Sequence, residues 1–238
     1  MIPARYASTR FPFKLMQPLG NKTVIRHTYD NTVATNLFDE VIVVTDSELI
    51  FNEIVQQGGK AMMSKKNHES GSDRIAEAIE NMEVDIILNV QGDEPFVNKE
   101  TLRKLLEAFK DDTIQVASVM KILNDNALIN NPNYVKVVVD KNMQSLLFSR
   151  SPIPYHRDQD VLPVYYEHIG VYAFRKEALL QFTKWNPTPL EIVEKIECLR
   201  YLENGVPLKM VLTEDSGVKI DVPEDLIKAA NYLREISQ

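Results

Sequence analysis

The 238-residue sequence has a single cysteine, Cys198, which excludes an intrachain disulfide framework and fits a reducing compartment. Positive charge is also in the minority: 27 Lys and Arg stand against 34 Asp and Glu, a net charge of -7. No global basic field therefore exists to attract nucleic acid or an anionic membrane, and an anionic ligand must be met by a local cluster. No apolar run approaches the about 18 residues that a membrane-spanning helix needs, and no signal-peptide pattern opens the chain. Internal repeats, low-complexity tracts and linkers are likewise missing. What remains is 44% hydrophobic and 26% charged, ordinary for a globular protein. The expectation is a soluble, cytoplasmic α/β protein, with residues 1–238 forming one large domain.

The most informative stretch is Asp85-Ile86-Ile87-Leu88-Asn89-Val90-Gln91-Gly92-Asp93-Glu94-Pro95. It opens as a short apolar run without helical period, the pattern of a strand buried on both faces of a parallel sheet. Gly92 then allows a turn or close backbone approach, and Pro95 ends strand pairing. Asp93 and Glu94 are thus predicted just beyond a strand's carboxyl end, the edge where open α/β sheets bind ligands. A carboxylate there is suited to Mg²⁺, which takes hard oxygen ligands and usually a phosphate with them. The alternative is an acidic loop that merely leaves a strand.

Met1-Ile2-Pro3-Ala4 reads as the end of a strand, either very short or continued upstream, since strands usually run about five residues. Next, the segment from Arg5 to Lys14 gathers three cations (Arg5, Arg10, Lys14) and two hydroxyls (Ser8, Thr9). Arg forks, a lysine and free backbone N–H groups are what triphosphate oxygens require; a solvated basic loop is the alternative. Val24 to Asn36 has helical spacing, Glu40 to Thr45 is a buried strand, and Ser47 caps a helix to about Gln57 that Gly58-Gly59 stops. Lys60 to Met63 is a further strand. This β-α-β-α-β alternation predicts a doubly wound, mostly parallel, Rossmann-like sheet.

In His68-Glu69-Ser70-Gly71-Ser72-Asp73-Arg74, Ser70 or Ser72 can cap a helix whose orphan N–H groups face a polar ligand. His68 by itself reads as a surface or satisfied histidine. Lys99 to Phe109 is an amphipathic helix and Ile114 to Met120 a strand. Between residues 131 and 175, three strand patterns follow without helices, broken by Pro152, Pro154 and Pro163. This stretch is predicted as an inserted β-rich lobe that covers the ligand site or forms a dimer contact. Its polar outliers include Arg150, His156, Arg157, Tyr165, Tyr166, Glu167 and His168. Together they suit a sugar acid, whose carboxylate Arg can pair bidentately. Leu190 to Glu203 reads as one helix with Glu191, Glu194 and Glu197 at three-residue steps; solvation is the plain reading of such glutamates. Val206 to Leu212 is a strand. Asp221 precedes a final helix that begins near Pro223, either as its N-cap or as a site residue.

Taken together, several of these stretches resemble one family, the 3-deoxy-manno-octulosonate (KDO) cytidylyltransferases. They are Ile2-Pro3-Ala4-Arg5-Tyr6-Ala7-Ser8-Thr9-Arg10, His68 to Arg74, Asn89 to Pro95, Phe148-Ser149-Arg150, His168-Ile169-Gly170-Val171-Tyr172, Leu190 to Arg200, and Asp221 with Pro223 to Leu226. The resemblance implies a nucleotide-diphospho-sugar transferase type of sheet, and a reaction in which the 2-hydroxyl of KDO attacks the α-phosphorus of CTP. The products would be CMP-KDO and pyrophosphate, the cofactor Mg²⁺, the pathway lipopolysaccharide assembly and the assembly a homodimer. It further implies Asp93, Asp221, Lys14 and Arg10 as catalytic residues, with Asp93 and Asp221 as the metal pair. Arg5, Ser8, Arg10 and Lys14 would hold the triphosphate, and Ser70, Asp73, Arg74 and Gln91 would surround the cytidine. Arg157, His168, Tyr172, Glu194 and Glu197 would take the sugar acid.

Two departures from the family pattern stand out. Phe13 occupies a place where glycine is usual, and Cys198 one where glutamine is common. The competing readings are a cytidylyltransferase for an 8-amino-KDO or sialic-type acid, a metal-dependent glycosyltransferase, and a non-catalytic nucleotide sensor.

Overall fold

The computed structural model describes residues 1–7, 11–66, 68, 70–158, 160–214 and 218–236. In chain order its elements are β1 (Ile2–Ala4), a 3₁₀ turn (Lys14–Met16), β2 (Pro18–Leu19), β3 (Lys22–Thr23), α1 (Val24–Ala34), β4 (Val43–Thr45), α2 (Glu48–Val55), β5 (Ala61–Met63), α3 (Gly71–Ile79), β6 (Ile86–Asn89) and α4 (Lys99–Ala108). Then come β7 (Val116–Ile122), α5 (Asn126–Ile129), β8 (Lys136–Val139), β9 (Ser145–Ser149), β10 (Tyr166–Arg175), α6 (Lys176–Phe182), α7 (Pro189–Glu194), α8 (Leu199–Glu203), β11 (Lys209–Leu212) and α9 (Pro223–Ile236). Among the described residues no helix is long and apolar enough to cross a membrane. The chain divides into two units, Met1–Leu102 with Gly217–Gln238, and Arg103–Ser216.

In the first unit, β1, β4 and β5 pair in parallel. On the other side of β1, Met1 N donates to Leu88 O at 2.8 Å and Val90 N to Met1 O at 3.1 Å. One residue bonding to neighbours two apart is the signature of a parallel pair, so the order is β5-β4-β1-β6. The chain direction of build-up reverses between β1 and β6, which makes their carboxyl ends a topological switch point. The helices start where the sequence predicts. Thr23 Oγ1 accepts from Arg26 N, Ser47 Oγ from Ile50 N and Ser70 Oγ from Asp73 N, each satisfying an orphan first-turn donor. Gly58, at φ +76°, supplies the left-handed residue that follows α2. The core holds Ile2, Val24, Ile25, Val43, Ile50, Ile54, Ile75 and Ile79, all of them inaccessible.

The second unit has a mixed sheet in the order β11-β7-β10-β8-β9. β11 is parallel to β7, whereas β10 is antiparallel to both β7 and β8, and β8 to β9. The three strands between residues 131 and 175 thus continue one sheet with β7 and β11. One expected element is corrected. Leu190 to Glu203 is two short helices, α7 and α8, because Lys195 turns left-handed at φ +53°. Arg150 explains the break: its Nε donates to Glu194 O at 2.6 Å and its Nη2 to Lys195 O at 3.3 Å. A distant guanidinium thus takes up two carbonyls at the end of α7.

Candidate active site

The carboxyl ends of β1 and β6 open onto a cavity of about 240 Å³. Its walls are Pro3 and Ala4 of β1 with Arg5 after it, Gln91, Gly92 and Asp93 in the loop after β6, and His68, Ser70, Gly71 and Arg74 before and at the start of α3. Lys14, Leu15, Lys219 and Asp221 complete it. Gly92 is required by close approach: a Cβ there would lie 3.1 Å from Pro3 O and 3.2 Å from Ile25 Cδ1. Two side chains of α1 hold the loop in place, Thr28 Oγ1 donating to Gly92 O at 2.9 Å and Asn31 Nδ2 to Pro95 O at 2.6 Å. Ile220 N donates to Asp93 O at 3.0 Å, which carries Asp221 to the same spot. Phe96 packs edge-on against Tyr232 of α9, with ring centroids 4.7 Å apart.

Electrostatically the centre is Lys14. Its Nζ is paired with Asp93 Oδ2 and also donates to Asp221 Oδ1 at 3.3 Å and Ile220 O at 3.2 Å. Asp93 is 9% exposed, and its second oxygen, Oδ1, is buried without a hydrogen-bond partner. An orphaned carboxylate oxygen costs free energy unless a cation or donor arrives. Two carboxylates around one cation position, one of them with an unused oxygen, fit Mg²⁺, which binds one or two protein carboxylates and takes substrate phosphates for the rest. Among the described residues no group of three or more His, Cys, Asp and Glu side chains converges as a metal cage. Beside it, burial pushes the Glu94 carboxyl up to about 7; the Asp93 and Asp221 charges add to the rise, while Lys219 and Lys14 oppose it.

Each residue singled out in the sequence can now be placed. Arg5, Lys14, Ser70, Arg74, Gln91, Asp93 and Asp221 all line the cavity. Ser8 and Arg10 lie outside the described residues. Asp73 is not among the lining residues; its carboxylate accepts from Ser70 Oγ at 3.0 Å, so it acts behind that hydroxyl. Arg74 is buried and braces two strand ends, donating to Ala4 O at 2.6 Å and Asp46 Oδ2 at 2.7 Å. Burial opposes ionisation of Asp46, but the bond and charge of Arg74 prevail and hold its carboxyl below the usual range. Gln91 Nε2 donates to Asn89 Oδ1 at 3.0 Å. Asp225 Oδ2 accepts from both Asp221 N and Val222 N before α9, and the Asp221 carboxylate accepts from Lys14. Phe13 keeps the left-handed φ of +59° that glycine would hold, its ring 4.5 Å from that of Tyr6.

The residues implied for the sugar acid lie in the second unit. His168 and Tyr172 are ring neighbours on β10, centroids 5.4 Å apart. Burial pushes the Tyr172 phenol well above its ordinary range, helped by the nearby Cys198 and Glu197. Cys198 itself is 1% exposed, and burial drives its thiol pKa far upward, the Glu197 charge adding to this while a hydrogen bond to Tyr172 opposes it. Glu194 accepts from Ser149 Oγ at 2.7 Å and Arg150 N at 3.0 Å. Arg157 is exposed.

His68 is the satisfied histidine of the two alternatives, nearly buried with its Nε2 2.8 Å from Glu77 Oε2. One further cavity residue escaped the sequence reading. Lys219 stands with its Nζ 3.9 Å from Asp221 Oδ2. Its signal was present: Ile220 is fully buried, and alternation puts residues 219 and 221 on the opposite side together.

A family model described as Cytidylyltransferase matches residues 1–216. Among curated relatives, the 3-deoxy-manno-octulosonate cytidylyltransferase of Flavobacterium johnsoniae is 58% identical over 239 residues, covering 99% of this chain and 98% of that protein. The protein of the same name from Fusobacterium nucleatum is 42% identical over 99% of this chain and 96% of its own. Among solved structures, CMP:2-keto-3-deoxy-manno-octonic acid synthetase complexed with CTP superposes with a TM-score of 0.94 at 33% identity, over 99% of this chain and 97% of the other. The 4-diphosphocytidyl-2C-methyl-D-erythritol synthase of Anaerococcus prevotii (TM-score 0.68, 19% identity, 98% and 97% covered) shares the fold. The chain belongs to the 3-deoxy-manno-octulosonate cytidylyltransferase family.

Proposed function

We propose that the protein activates 3-deoxy-manno-octulosonate with CTP, giving CMP-KDO and pyrophosphate for lipopolysaccharide assembly. The observation that carries this reading is the pair Asp93 and Asp221 facing one cation position, at the switch-point cavity that Arg5, Lys14 and Lys219 make locally basic in an acidic protein. In the reaction the 2-hydroxyl oxygen bonds to the α-phosphorus as the bond from that phosphorus to the bridging oxygen breaks. Pyrophosphate leaves and the hydroxyl proton is released. Such chemistry needs mainly positioning and charge neutralisation.

Arg5, Lys14 and Lys219, with Ser8 and Arg10, neutralise and orient the triphosphate, and Ser70, Arg74 and Gln91, with Asp73 behind Ser70, surround the cytidine. Asp93 and Asp221 would hold Mg²⁺, which when bound supplies charge neutralisation at the phosphates and acidity to the incoming hydroxyl. In the second unit, His168, Tyr172 and Glu197, with Glu194 and Arg157, take the sugar acid. The finer expectations belong here too: Mg²⁺ as cofactor, a cytoplasmic setting, and a homodimer. The exposed apolar side chains Tyr155, Val161, Leu162 and Val164 support the last of these, which light scattering at several concentrations tests.

The activity test is pyrophosphate release with CTP, Mg²⁺ and KDO, using ATP, GTP and UTP as controls. Release that requires both CTP and KDO is expected, and Asp93→Asn is expected to abolish it while the fold persists. Release with a sialic-type or amino-substituted acid and none with KDO would replace the substrate but keep the chemistry.

A further inference from the structure

The side chain of Arg74 is charged and only 4% exposed, in the wall of a cavity that has to attract an anion. A guanidinium so placed needs a counter-charge and partners for its fork. Asp46, the residue after β4, supplies the charge: its Oδ2 accepts from Arg74 Nη2 at 2.7 Å, while Arg74 Nη1 donates to Ala4 O at 2.6 Å. The same carboxylate reaches the chain that follows β1, for its Oδ1 lies 3.5 Å from Tyr6 N. The Tyr6 ring in turn meets that of Phe13, the neighbour of Lys14, at 4.5 Å between centroids. Asp46 is not among the lining residues, yet it ties together the start of α3, the end of β1 and the base of the segment from Arg5 to Lys14.

A carboxylate beside an anion site weakens it, because its field repels the phosphates that Arg5, Lys14 and Lys219 attract. That repulsion has a use here. Bonded to Asp46 and to Ala4 O, the Arg74 guanidinium is offset in charge and fixed in direction. It then adds little to the pull on phosphate and keeps one orientation toward a hydrogen-bonding ligand. Without its carboxylate, the same guanidinium would favour phosphate oxygens, which its fork binds bidentately.

We propose that Asp46 is a positioning residue for nucleoside recognition: it holds and offsets Arg74, so that this guanidinium serves the cytidine and leaves the triphosphate to Arg5, Lys14 and Lys219. This rests on the functional reading given above, in which Arg74 lies against the cytidine. Asp46 acts through Arg74, and its effect is on selectivity. A nucleotide is favoured over bare polyphosphate, including the pyrophosphate that the reaction releases.

The test is calorimetric binding of CTP and of inorganic tripolyphosphate, each with Mg²⁺ and without KDO, to wild type, Asp46→Ala and Asp46→Asn. Wild type is expected to prefer CTP. In Asp46→Ala, tripolyphosphate should bind more tightly and the preference for CTP should fall about tenfold, within the range of coupling between directly paired residues. The lost charge acts on the phosphates of both ligands alike, so only the nucleoside contact changes their ratio. Asp46→Asn keeps the shape and removes the charge. It should move both readouts the same way, and it carries the test if Asp46→Ala fails to fold. In an Arg74→Met background, Asp46→Asn should leave the ratio unaltered, because Asp46 acts through the guanidinium; a further fall there overturns the proposal. An unaltered preference for CTP in the folded single variants overturns it too, as does weaker tripolyphosphate binding, the mark of a general loss of the site. In those cases a wild type that prefers CTP leaves the functional reading standing. Wild type that binds CTP no more tightly than tripolyphosphate overturns the reading of the cavity as a cytidine site, and the proposal with it.

Discussion

Replacing Lys14 by methionine removes one cation from between two carboxylates and changes little in volume. The side chains of Lys14 and Asp93 are 15% and 12% exposed, and that of Asp221 is 31% exposed. Exposed ion pairs contribute at most about 1 kcal/mol, whereas losing one partner of a buried pair costs about 3–5 kcal/mol. Lys14 lies between these limits, and Asp93 Oδ1 already lacks a hydrogen-bond partner. In Lys14→Met, Oδ2 loses its ammonium as well and the Asp93 and Asp221 charges lose the cation between them, so the metal-free loss should be about 2–3 kcal/mol. For a chain of this length that lowers Tm by roughly 4–12 °C.

The same geometry sets the response to divalent cations. In wild type an entering ion must displace the ammonium, so Mg²⁺ or Mn²⁺ without nucleotide should move Tm little. In Lys14→Met the position between the carboxylates is open, and a cation at 100 times its Kd returns about 2.7 kcal/mol. Thermal melts in EDTA and in rising Mg²⁺, with Mn²⁺ binding read by electron paramagnetic resonance, check both statements. Equal Tm values in EDTA, or equal metal-dependent gains for the two proteins, would refute the bridging role. Turnover of the variant should still fall by about a hundredfold, because the triphosphate loses a positive partner.

Other substitutions test the framework around the site. Lys136 is fully buried, and its ammonium donates to Asn131 O, Tyr134 O and Arg150 O at 3.2, 2.6 and 2.6 Å. Lys136→Met should cost about 3 kcal/mol in urea unfolding, because three carbonyls lose their donor; a loss below 1 kcal/mol would contradict that role. At Phe13, with φ at +59°, Phe13→Gly should be more stable than Phe13→Ala by about 1 kcal/mol, since both lose the Tyr6 contact and only alanine keeps the backbone strain. Cys198 should not react with a thiol-specific disulfide reagent in the native protein and should react fully once unfolded; rapid native reaction would show that the thiol is neither buried nor held protonated.

The parts of this protein that were legible in its sequence are those whose cause is local. Asp93 could be placed because an apolar strand pattern ends at Gly92 and Pro95, and the residues that terminate pairing are the ones that form the ligand edge. The capping roles of Ser47 and Ser70 were legible for the same reason, and Lys219 could have been found from the alternation around Ile220. What escaped depends on side chains distant in the chain. Glu191 reads as a solvated helix face, yet its carboxylate takes Arg200 in a fork, with Nε at 2.8 Å and Nη2 at 2.6 Å. The stop at Lys195 carries no glycine because Arg150, 44 and 45 residues away, supplies the carbonyl partners that end α7. Ser118 looks like any small residue in a buried strand, yet its hydroxyl meets Val171 O at 2.9 Å where β10 gains two residues opposite it. This difference follows from what each part must do. Binding a triphosphate and a metal takes charge and open backbone at strand ends, and both change the residue pattern. Reading a sugar takes a few side chains in fixed orientations, and the bonds that fix them come from anywhere in the fold.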